Sequence, residues 1–477
     1  MNSEELLQNI NLLKKYHHNL VYDYTEYPTK GIWDYEMGSK EYADSLVDWT
    51  TRNPRGPVLF YVHTPFCEQL CYFCTCSKII TKNYNSVKDY LYNYLFKEID
   101  LLFDFLDKKK IQLNVKEVYF GGGSPTYYKT EDFKKLVDKL KSKFDFSKLG
   151  DFTVEIDPRR VDEEKLLFYN ECGVNRLSFG VQEFDAEVQR RINREQPAEL
   201  FHSILTKKVK EKYKTFNFDL LIGLPGQTND SMEKTMDKLI KIRPPQVQPM
   251  LLAYKPWVAK AQIKMVKDGP LPDSFDRKQL FKIAADRLSK AGYVRAGFET
   301  YVLPNDPIDL AMKEKKAYYN SLGVQKGAAT NFVSIGSSGQ GSLGDEYYSQ
   351  NFYSINLYKK SLDEGKLPIY RGIKLSEDDK IRRYLMNEVR TYFKIEFEDV
   401  EKAFKINFRE YFNKELSSLT EHVKDELVSI SNESLIITEL GKNFAPQIAN
   451  VFDKYDPPSV TYGERLKRIN KVAVHPS

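Results

Sequence analysis

Cysteine is scarce in these 477 residues: there are five, and four of them fall between Cys67 and Cys76. So few cysteines in so long a chain exclude a disulfide scaffold, which small secreted domains build from many spaced pairs. Histidine is sparse too, with six scattered residues, and no second Cys-x-x-Cys pair exists to complete an ordinary two-knuckle zinc site. No apolar run of about 18 residues occurs, so no transmembrane helix is expected. The start Met1-Asn-Ser-Glu-Glu5 carries acids and no apolar stretch, so no secretory signal is expected either. Net charge is only +5, with acids and bases interspersed and no long basic run, so it does not argue for nucleic acid or membrane binding, and no nucleic-acid partner is expected. Internal repeats and low-complexity tracts are also missing. Reduced thiols gathered in one loop fit the cytoplasm.

What is present is an ordinary globular composition, 41% hydrophobic and 29% charged, enough apolar surface for one large domain plus a smaller one or for three pieces. The unusual stretch is Cys67-Glu-Gln-Leu-Cys71-Tyr-Phe-Cys74-Thr-Cys76. Soft thiolates packed this closely select zinc, copper(I) or iron–sulfur clusters. A lone Cys-x3-Cys-x2-Cys triplet suits a 4Fe–4S cubane with three irons held by Cys67, Cys71 and Cys74 and the fourth open to a ligand. The competing reading is a zinc site completed by Cys76 or His63.

Hydrophobic patterning places this loop. Strand-like runs occur at Val58–Val62, Val115–Phe120, Phe152–Ile156, Arg176–Gly180, Phe216–Ile222 and Val247–Leu252. Helical stretches alternate with them, including Val87–Lys108, where Ser86 and Asp89 form a candidate cap, and Glu131–Lys143, Glu163–Glu171 and Ser231–Ile242. Six strands alternating with helices predict parallel βα units, in which loops at the carboxyl ends of the strands carry the chemistry. The cysteine loop, Gly121-Gly-Gly-Ser-Pro125, Glu155-Ile-Asp157, Gln182, Gly223-Leu-Pro225 and Ala253 all fall in that position. The fold class expected is α/β: a partial (β/α)6, TIM-like barrel over 56–300. It is preceded by an N-terminal arm (1–55) with a short helix at Leu6–Leu13, and followed by an extension or linker (301–370). Residues 371–477 read as a mainly helical domain with a hairpin at Leu427–Ile430 and Leu435–Thr438, a winged-helix-like order. Its many acids argue against DNA binding.

Each polar residue here also has a plain structural reading. Glycines at 121–123 serve tight turns as well as close ligand approach. Glu155, Asp157, Gln182, Arg194 and Asp219 are network residues by default and ligand contacts by context, and Arg194 offers a planar fork for a carboxylate. Cys172 reads as a small buried residue and His63 as a packing residue.

The triplet with Phe73 before its last cysteine resembles the signature of the radical S-adenosylmethionine (SAM) superfamily. Its flank Tyr61-Val-His-Thr-Pro-Phe-Cys67 and the extra Cys76 resemble the family of oxygen-independent coproporphyrinogen III oxidases. Further segments carry the likeness: Phe120-Gly-Gly-Gly-Ser-Pro-Thr126, Val154-Glu-Ile-Asp-Pro-Arg159, Asn175-Arg-Leu-Ser-Phe-Gly-Val-Gln182, and Arg371-Gly-Ile373. The resemblance implies a 4Fe–4S cluster on Cys67, Cys71 and Cys74, with Cys76 close by. It implies SAM contacts at Tyr61, Phe73, Gly122, Gly123, Ser124, Glu155, Gln182, Arg194, Asp219 and Ala253, in a family that can hold two SAM molecules. It implies a monomer served by an electron donor such as flavodoxin or ferredoxin. The reaction it implies is oxidative decarboxylation of coproporphyrinogen III propionates to vinyl groups in haem biosynthesis, started by a 5′-deoxyadenosyl radical.

The far end of the site departs from the family pattern. Asp23 stands where the arm of relatives carries Arg, Glu299-Thr-Tyr-Val302 replaces an Asp-His-Phe-Ala type segment, and Gly323-Val-Gln-Lys326 replaces Gly-Tyr-Thr-Thr. Gln340 occupies a SAM-contact position that is usually Ile. These departures bear on the substrate and keep two alternatives in view: a radical SAM methyltransferase or other enzyme modifying a tetrapyrrole or quinone, and a haem-binding chaperone. The full C-terminal domain and Cys76 argue against the latter.

Overall fold

The structure, a computed structural model, describes residues 11–12, 15–16, 24–327, 330–344, 346–458 and 464. Asp23 and most of the run Leu6–Leu13 lie outside the described residues.

Six parallel strands form where the apolar runs place them: β1 (Pro57–Thr64), β2 (Asn114–Gly122), β3 (Asp151–Ile156), β4 (Arg176–Gln182), β5 (Thr215–Ile222) and β6 (Gln246–Leu251). Strand β1 and the middle of β2 read as apolar runs, whereas β3 to β6 alternate: Phe152, Val154, Ile156, Leu177, Phe179, Phe216 and Phe218 pack in the core, and Glu155, Ser178, Asn217 and Asp219 between them face the inside of the partial barrel. The helix Thr130–Lys141 shows the packing rule: Phe133, Leu136, Val137 and Leu140, spaced three and four apart, are all buried. The Phe133 ring sits 5.4 Å from Phe120 and 6.5 Å from Phe152, on the outer face of β2 and β3. Removing such a ring costs about 3–5 kcal/mol.

The sheet continues beyond the six strands. The Gly/Ser-rich stretch that interrupts the pattern after residue 300 is built into it. After the edge strands β7 (Val294–Ala296) and β8 (Thr300–Val302) and a separate hairpin, β9 (Tyr318–Asn320) with β10 (Gly323–Gln325), the chain returns as β11 (Asn331–Ile335). Strand β11 pairs in parallel with the free edge of β1, from Val58↔Asn331 to Val62↔Ile335. Antiparallel strands β12 (Gln340–Leu343), β13 (Tyr347–Asn351) and β14 (Ile369–Lys374) follow. The order is β14-β13-β12-β11-β1-β2-β3-β4-β5-β6-β8-β7, a 12-stranded open sheet whose middle is a partial barrel. Glycine permits the tight fit, because a Cβ on Gly336 would stand 2.3 Å from the His63 carbonyl oxygen.

Two further details differ from expectation. The helical run Val87–Lys108 is broken by a π-helical segment, Tyr90–Leu95. Its cap is Asn83 rather than Ser86: Asn83 is extended and its side chain accepts the Asn85 N–H, whereas the Ser86 hydroxyl donates back to the Asn83 carbonyl.

The C-terminal region has its own core, from Ile381 and Leu385 to Ile448 and Phe452, between helices and a three-stranded antiparallel sheet, β15 (Lys394–Glu396), β16 (Val428–Ile430) and β17 (Ser434–Ile437). The arm joins it to the sheet. The Tyr24 hydroxyl donates to Asp453 (3.0 Å), and Trp33 stacks on Tyr348 with ring centres 5.0 Å apart. Among the described residues no helix is long and apolar enough to cross a membrane.

Candidate active site

A cavity of about 320 Å³ opens at the carboxyl ends of the parallel strands. The cysteine loop forms one wall. A short parallel ladder, Phe66–Cys67 with Ile79–Ile80, closes its base. The Asn193 side chain donates to the Leu70 carbonyl (2.7 Å), and the Lys78 ammonium donates to the carbonyls of Cys74 (2.9 Å) and Cys76 (3.1 Å). Gln262, fully buried, donates both to the Phe73 carbonyl (2.8 Å) and to that of Ala253 (2.9 Å), so one amide ties the loop to the end of β6. Ala253 therefore stands beside the loop, although it does not line the cavity.

Cys67, Cys71, Cys74 and Cys76 all face the cavity. Burial, reinforced by the neighbouring thiols of Cys74 and Cys71, pushes the Cys67 thiol up to about 12. The Cys76 thiol beside it, with Lys78, brings Cys74 below the ordinary thiol value, while Cys76 moves the other way. Two arginines reach Cys71: Arg194 Nη1 at 3.4 Å and Arg159 Nη2 at 3.6 Å from its Sγ. Both are steadied by Asp157, at 2.7 Å from Arg159 and 3.6 Å from Arg194. Two guanidinium groups beside Cys71 are placed to offset the negative charge of a metal-bound thiolate. Among the described residues no three Cys, His or carboxylate side chains converge as ligands of one ion do. A cubane takes each thiolate on a separate iron, and the open triplet suits that spread.

The second wall is the glycine turn after β2. Gly122 has φ +111°, a conformation that favours glycine, and a Cβ there would strike the His63 ring at 2.7 Å. A Cβ on Gly123 would stand 2.9 Å from the carbonyl oxygens of Thr64 and Phe66. His63 is held neutral by burial, which lowers it to about 4; its ring nitrogens meet the Tyr61 hydroxyl (3.3 Å) and the Ser77 carbonyl (3.2 Å). Ser124 Oγ pairs with Thr126 Oγ1 at 2.8 Å. Glu155 accepts the Gly122 N–H at 3.0 Å. Burial, then the nearby charge of Asp219, raises the Glu155 carboxyl to about 8. Asp219 itself is raised to about 6 by burial, although Asn217 (2.6 Å) and Ser178 (3.2 Å) donate to it.

Gln182 closes the third side. It sits on a β-bulge with φ +66°, and its buried Oε1 has no hydrogen-bond partner. A left-handed backbone and an unpaired buried acceptor on a residue that lines the cavity mark Gln182 as a candidate ligand contact. Two sequence-derived positions stand elsewhere: Tyr61 lies behind the wall, its hydroxyl 2.9 Å from where a Gly121 Cβ would stand, and Gln340 lines a separate small cavity with Glu26, Trp33 and Arg383.

Sequence reading missed Arg159, Arg176, Asn217, Gln248 and Gln262 as parts of this neighbourhood. Arg159 follows the Glu155–Asp157 strand end and could have been found by the same rule. The others are single polar residues on strands or a distant loop and carry no local signal.

The donor set fits a cluster with SAM: thiols flanked by cations, a glycine turn no side chain could occupy, buried carboxyls and an unpaired amide oxygen around one cavity. Comparison with known proteins agrees. Residues 61–239 match the Radical SAM superfamily and residues 375–444 the HemN C-terminal domain. The oxygen-independent coproporphyrinogen III oxidase of Pseudomonas aeruginosa is 33% identical over 436 residues, 91% of this chain and 93% of that protein. Its counterpart in Escherichia coli is 30% identical over 462 residues, 95% and 97% of the two chains. The solved structure of the Escherichia coli coproporphyrinogen III oxidase (HemN), a radical SAM enzyme, matches with a TM-score of 0.84 at 29% identity, covering 94% of this chain and 98% of that one. With its cysteine triplet, glycine turn and buried carboxyls on one cavity, and with relatives this similar along nearly its full length, the chain belongs to the radical SAM family of oxygen-independent coproporphyrinogen III oxidases.

Proposed function

We propose that this protein oxidatively decarboxylates the propionate side chains of coproporphyrinogen III to vinyl groups, in haem biosynthesis. The observation that carries the reading is the single cavity on which the cysteine loop, the Gly122–Gly123 turn and the unpaired Gln182 amide converge. When bound, the 4Fe–4S cluster and SAM supply an electron and a 5′-deoxyadenosyl radical able to take hydrogen from an unactivated carbon.

The chain's own residues hold and shield that chemistry. Cys67, Cys71 and Cys74 would hold the cluster, with Cys76 exposed on the same loop. Arg194 and Arg159 balance charge at Cys71. Gly122, Gly123 and Ser124 let the backbone approach the amino-acid end of SAM, while Glu155, Gln182 and Asp219 offer acceptors to its ammonium or ribose hydroxyls. Glu155, raised by burial, ionises readily against an ammonium and otherwise retains its proton to donate. Tyr61 fixes His63 and the glycine turn from behind, and Phe73 and Ala253 are held together by Gln262. Gln340, in the smaller cavity, stands on the arm side of the site. A flavodoxin or ferredoxin supplies the electron, and the protein works as a monomer in the cytoplasm, where thiols stay reduced.

The test is product analysis of anaerobically reconstituted protein with dithionite, SAM and coproporphyrinogen III. Protoporphyrinogen, CO2, methionine and 5′-deoxyadenosine together support the proposal. S-adenosylhomocysteine with a methylated product would replace decarboxylation by methyl transfer, and 5′-deoxyadenosine without porphyrin turnover would reject this substrate.

A further inference from the structure

Four arginines line the main cavity, and three of them are ion-paired: Arg159 and Arg194 with Asp157, and Arg160 with Glu68. The fourth, Arg176, has no carboxylate within ion-pair distance among the described residues. Its side chain is nonetheless buried, with 9% of the residue exposed. Amide oxygens hold it instead: Nη1 donates to Gln325 (3.2 Å) and Nη2 to Gln246 (2.9 Å), and Nε has no partner. Gln246 spends its own amide hydrogens on Asp306 (2.9 and 3.1 Å), so the nearest carboxylate on that side lies one side chain away. Asp219, the acid on the cavity side, is already held by Asn217 and Ser178.

The charge of Arg176 acts through space on Glu117, Asp219 and Asp306, but none of them pairs with it directly, which leaves the guanidinium able to take a carboxylate as a direct partner. Here the cation is held by two neutral amides at the starting end of β4, and the cavity wall around it is polar: Ser178, Asn217, Gln248 and Ser321, with Asp219 the acid among them. The β9–β10 hairpin closes this end, made possible by Gly323 (φ +83°), where a Cβ would meet the Gln248 amide at 2.6 Å. An oriented guanidinium with no direct ion pair, beside the side-chain amides of Asn217 and Gln248, can receive a carboxylate.

We infer that Arg176 anchors one propionate carboxylate of the substrate, an assignment that rests on the tetrapyrrole reading above. The carboxylate held is one that survives the turnover. A guanidinium clamped on the departing carboxylate would stabilise the ground state and oppose CO2 loss, whereas a grip on a second propionate fixes the macrocycle without that penalty.

The test uses full-length reconstituted holoprotein, wild type, Arg176→Gln and Arg176→Lys. Binding is read with coproporphyrin III, a fluorescent tetracarboxylate, and with its tetramethyl ester as a carboxylate-free control. Arg176→Gln is expected to weaken tetracarboxylate binding and raise KM about ten- to a hundredfold, the size of one charge-assisted contact. Arg176→Lys is expected to recover part of this, lacking the fork. Ester binding and substrate-free SAM cleavage are expected to stay at wild-type levels. Unchanged tetracarboxylate affinity and KM in Arg176→Gln would overturn the inference alone, as would loss of substrate-free SAM cleavage with the cluster intact, which would place Arg176 on the nucleotide side. Where Arg176→Gln fails to fold, wild-type affinity in Arg176→Lys overturns the inference and an intermediate loss supports it. A wild-type holoprotein that binds no coproporphyrin would overturn the proposed function and this inference together.

Discussion

Arg194 Nη1 lies 3.4 Å from Cys71 Sγ, while its other terminal nitrogen donates to the Gly180 carbonyl at 2.7 Å. One planar group thus links the cysteine loop to β4. The cation also favours added negative charge next to it, so it eases reduction of a cluster held there. Arg194→Met is expected to lower the cluster's reduction potential by roughly 50 mV and slow SAM cleavage at least tenfold, with cluster iron retained. Anaerobic redox titration followed by electron paramagnetic resonance measures the first effect. An unchanged potential would remove the electrostatic role.

The cysteines divide by position. Cys67→Ser, Cys71→Ser and Cys74→Ser are each expected to lose the cluster absorbance and iron. Cys76→Ser is expected to keep both, because Cys76 stands outside the triplet and its thiol only pairs with Cys74. Cys172→Ser, at the end of the helix Glu163–Glu171, is expected to leave iron content unchanged. Iron and sulfide analysis after reconstitution decides all five.

How much of this was legible in the sequence differs between elements for physical reasons. The apolar residues that β1 to β6 turn toward the core recur in short runs or at every second position, and the loops after these strands collect the reactive residues, so the six strands and the position of the cysteine loop could be read directly. Strands β11 to β13 were hidden, because glycine and serine at 335–344 read as loop. They are strands because the neighbouring backbone approaches too closely for side chains, as at Gly341, where a Cβ would stand 3.0 Å from the Phe332 carbonyl. Arg176 lay inside a segment already noted, yet its lack of a direct ion pair is a property of its surroundings. Gln262 lies 189 residues from Phe73, and nothing local marks such a contact.

The glycine turn tolerates no side chain. Gly123→Ala places a Cβ 2.9 Å from two backbone carbonyl oxygens, which cannot swing aside as a side chain could. The expected outcome is a stability loss of about 1–3 kcal/mol, as for other overpacked sites, with SAM affinity reduced at least tenfold. Thermal unfolding and equilibrium SAM binding measure the two. Wild-type affinity would mean the turn is not a ligand surface.

Glu98 predicts a pH effect remote from the site. It is buried and accepts hydrogen bonds from the Gly336 N–H (2.7 Å), the Asn351 amide (2.7 Å) and the Tyr358 hydroxyl (2.5 Å), which pins the start of the β11–β12 connection to the helix Phe96–Lys108. Burial raises its carboxyl to about 7, above the ordinary 4.5. Between those values the folded protein keeps a proton that the unfolded chain has released, so this group's contribution is full below about pH 4.5 and is lost as pH rises through 7. The loss is on the order of 3 kcal/mol. Glu98→Gln, which cannot ionise, is expected to flatten the decline in stability between pH 5 and 7 relative to wild type. Denaturant midpoints across that range check it, and parallel slopes would contradict it.

The most direct measurement follows a single hydrogen atom. Coproporphyrinogen III deuterated at the β-carbons of its propionates, incubated anaerobically with the reduced holoprotein and SAM, is expected to yield 5′-deoxyadenosine one mass unit heavier, in step with vinyl formation. Vinyl product with unlabelled 5′-deoxyadenosine, or labelled substrate recovered intact beside abundant 5′-deoxyadenosine, would contradict hydrogen abstraction from a propionate in this cavity.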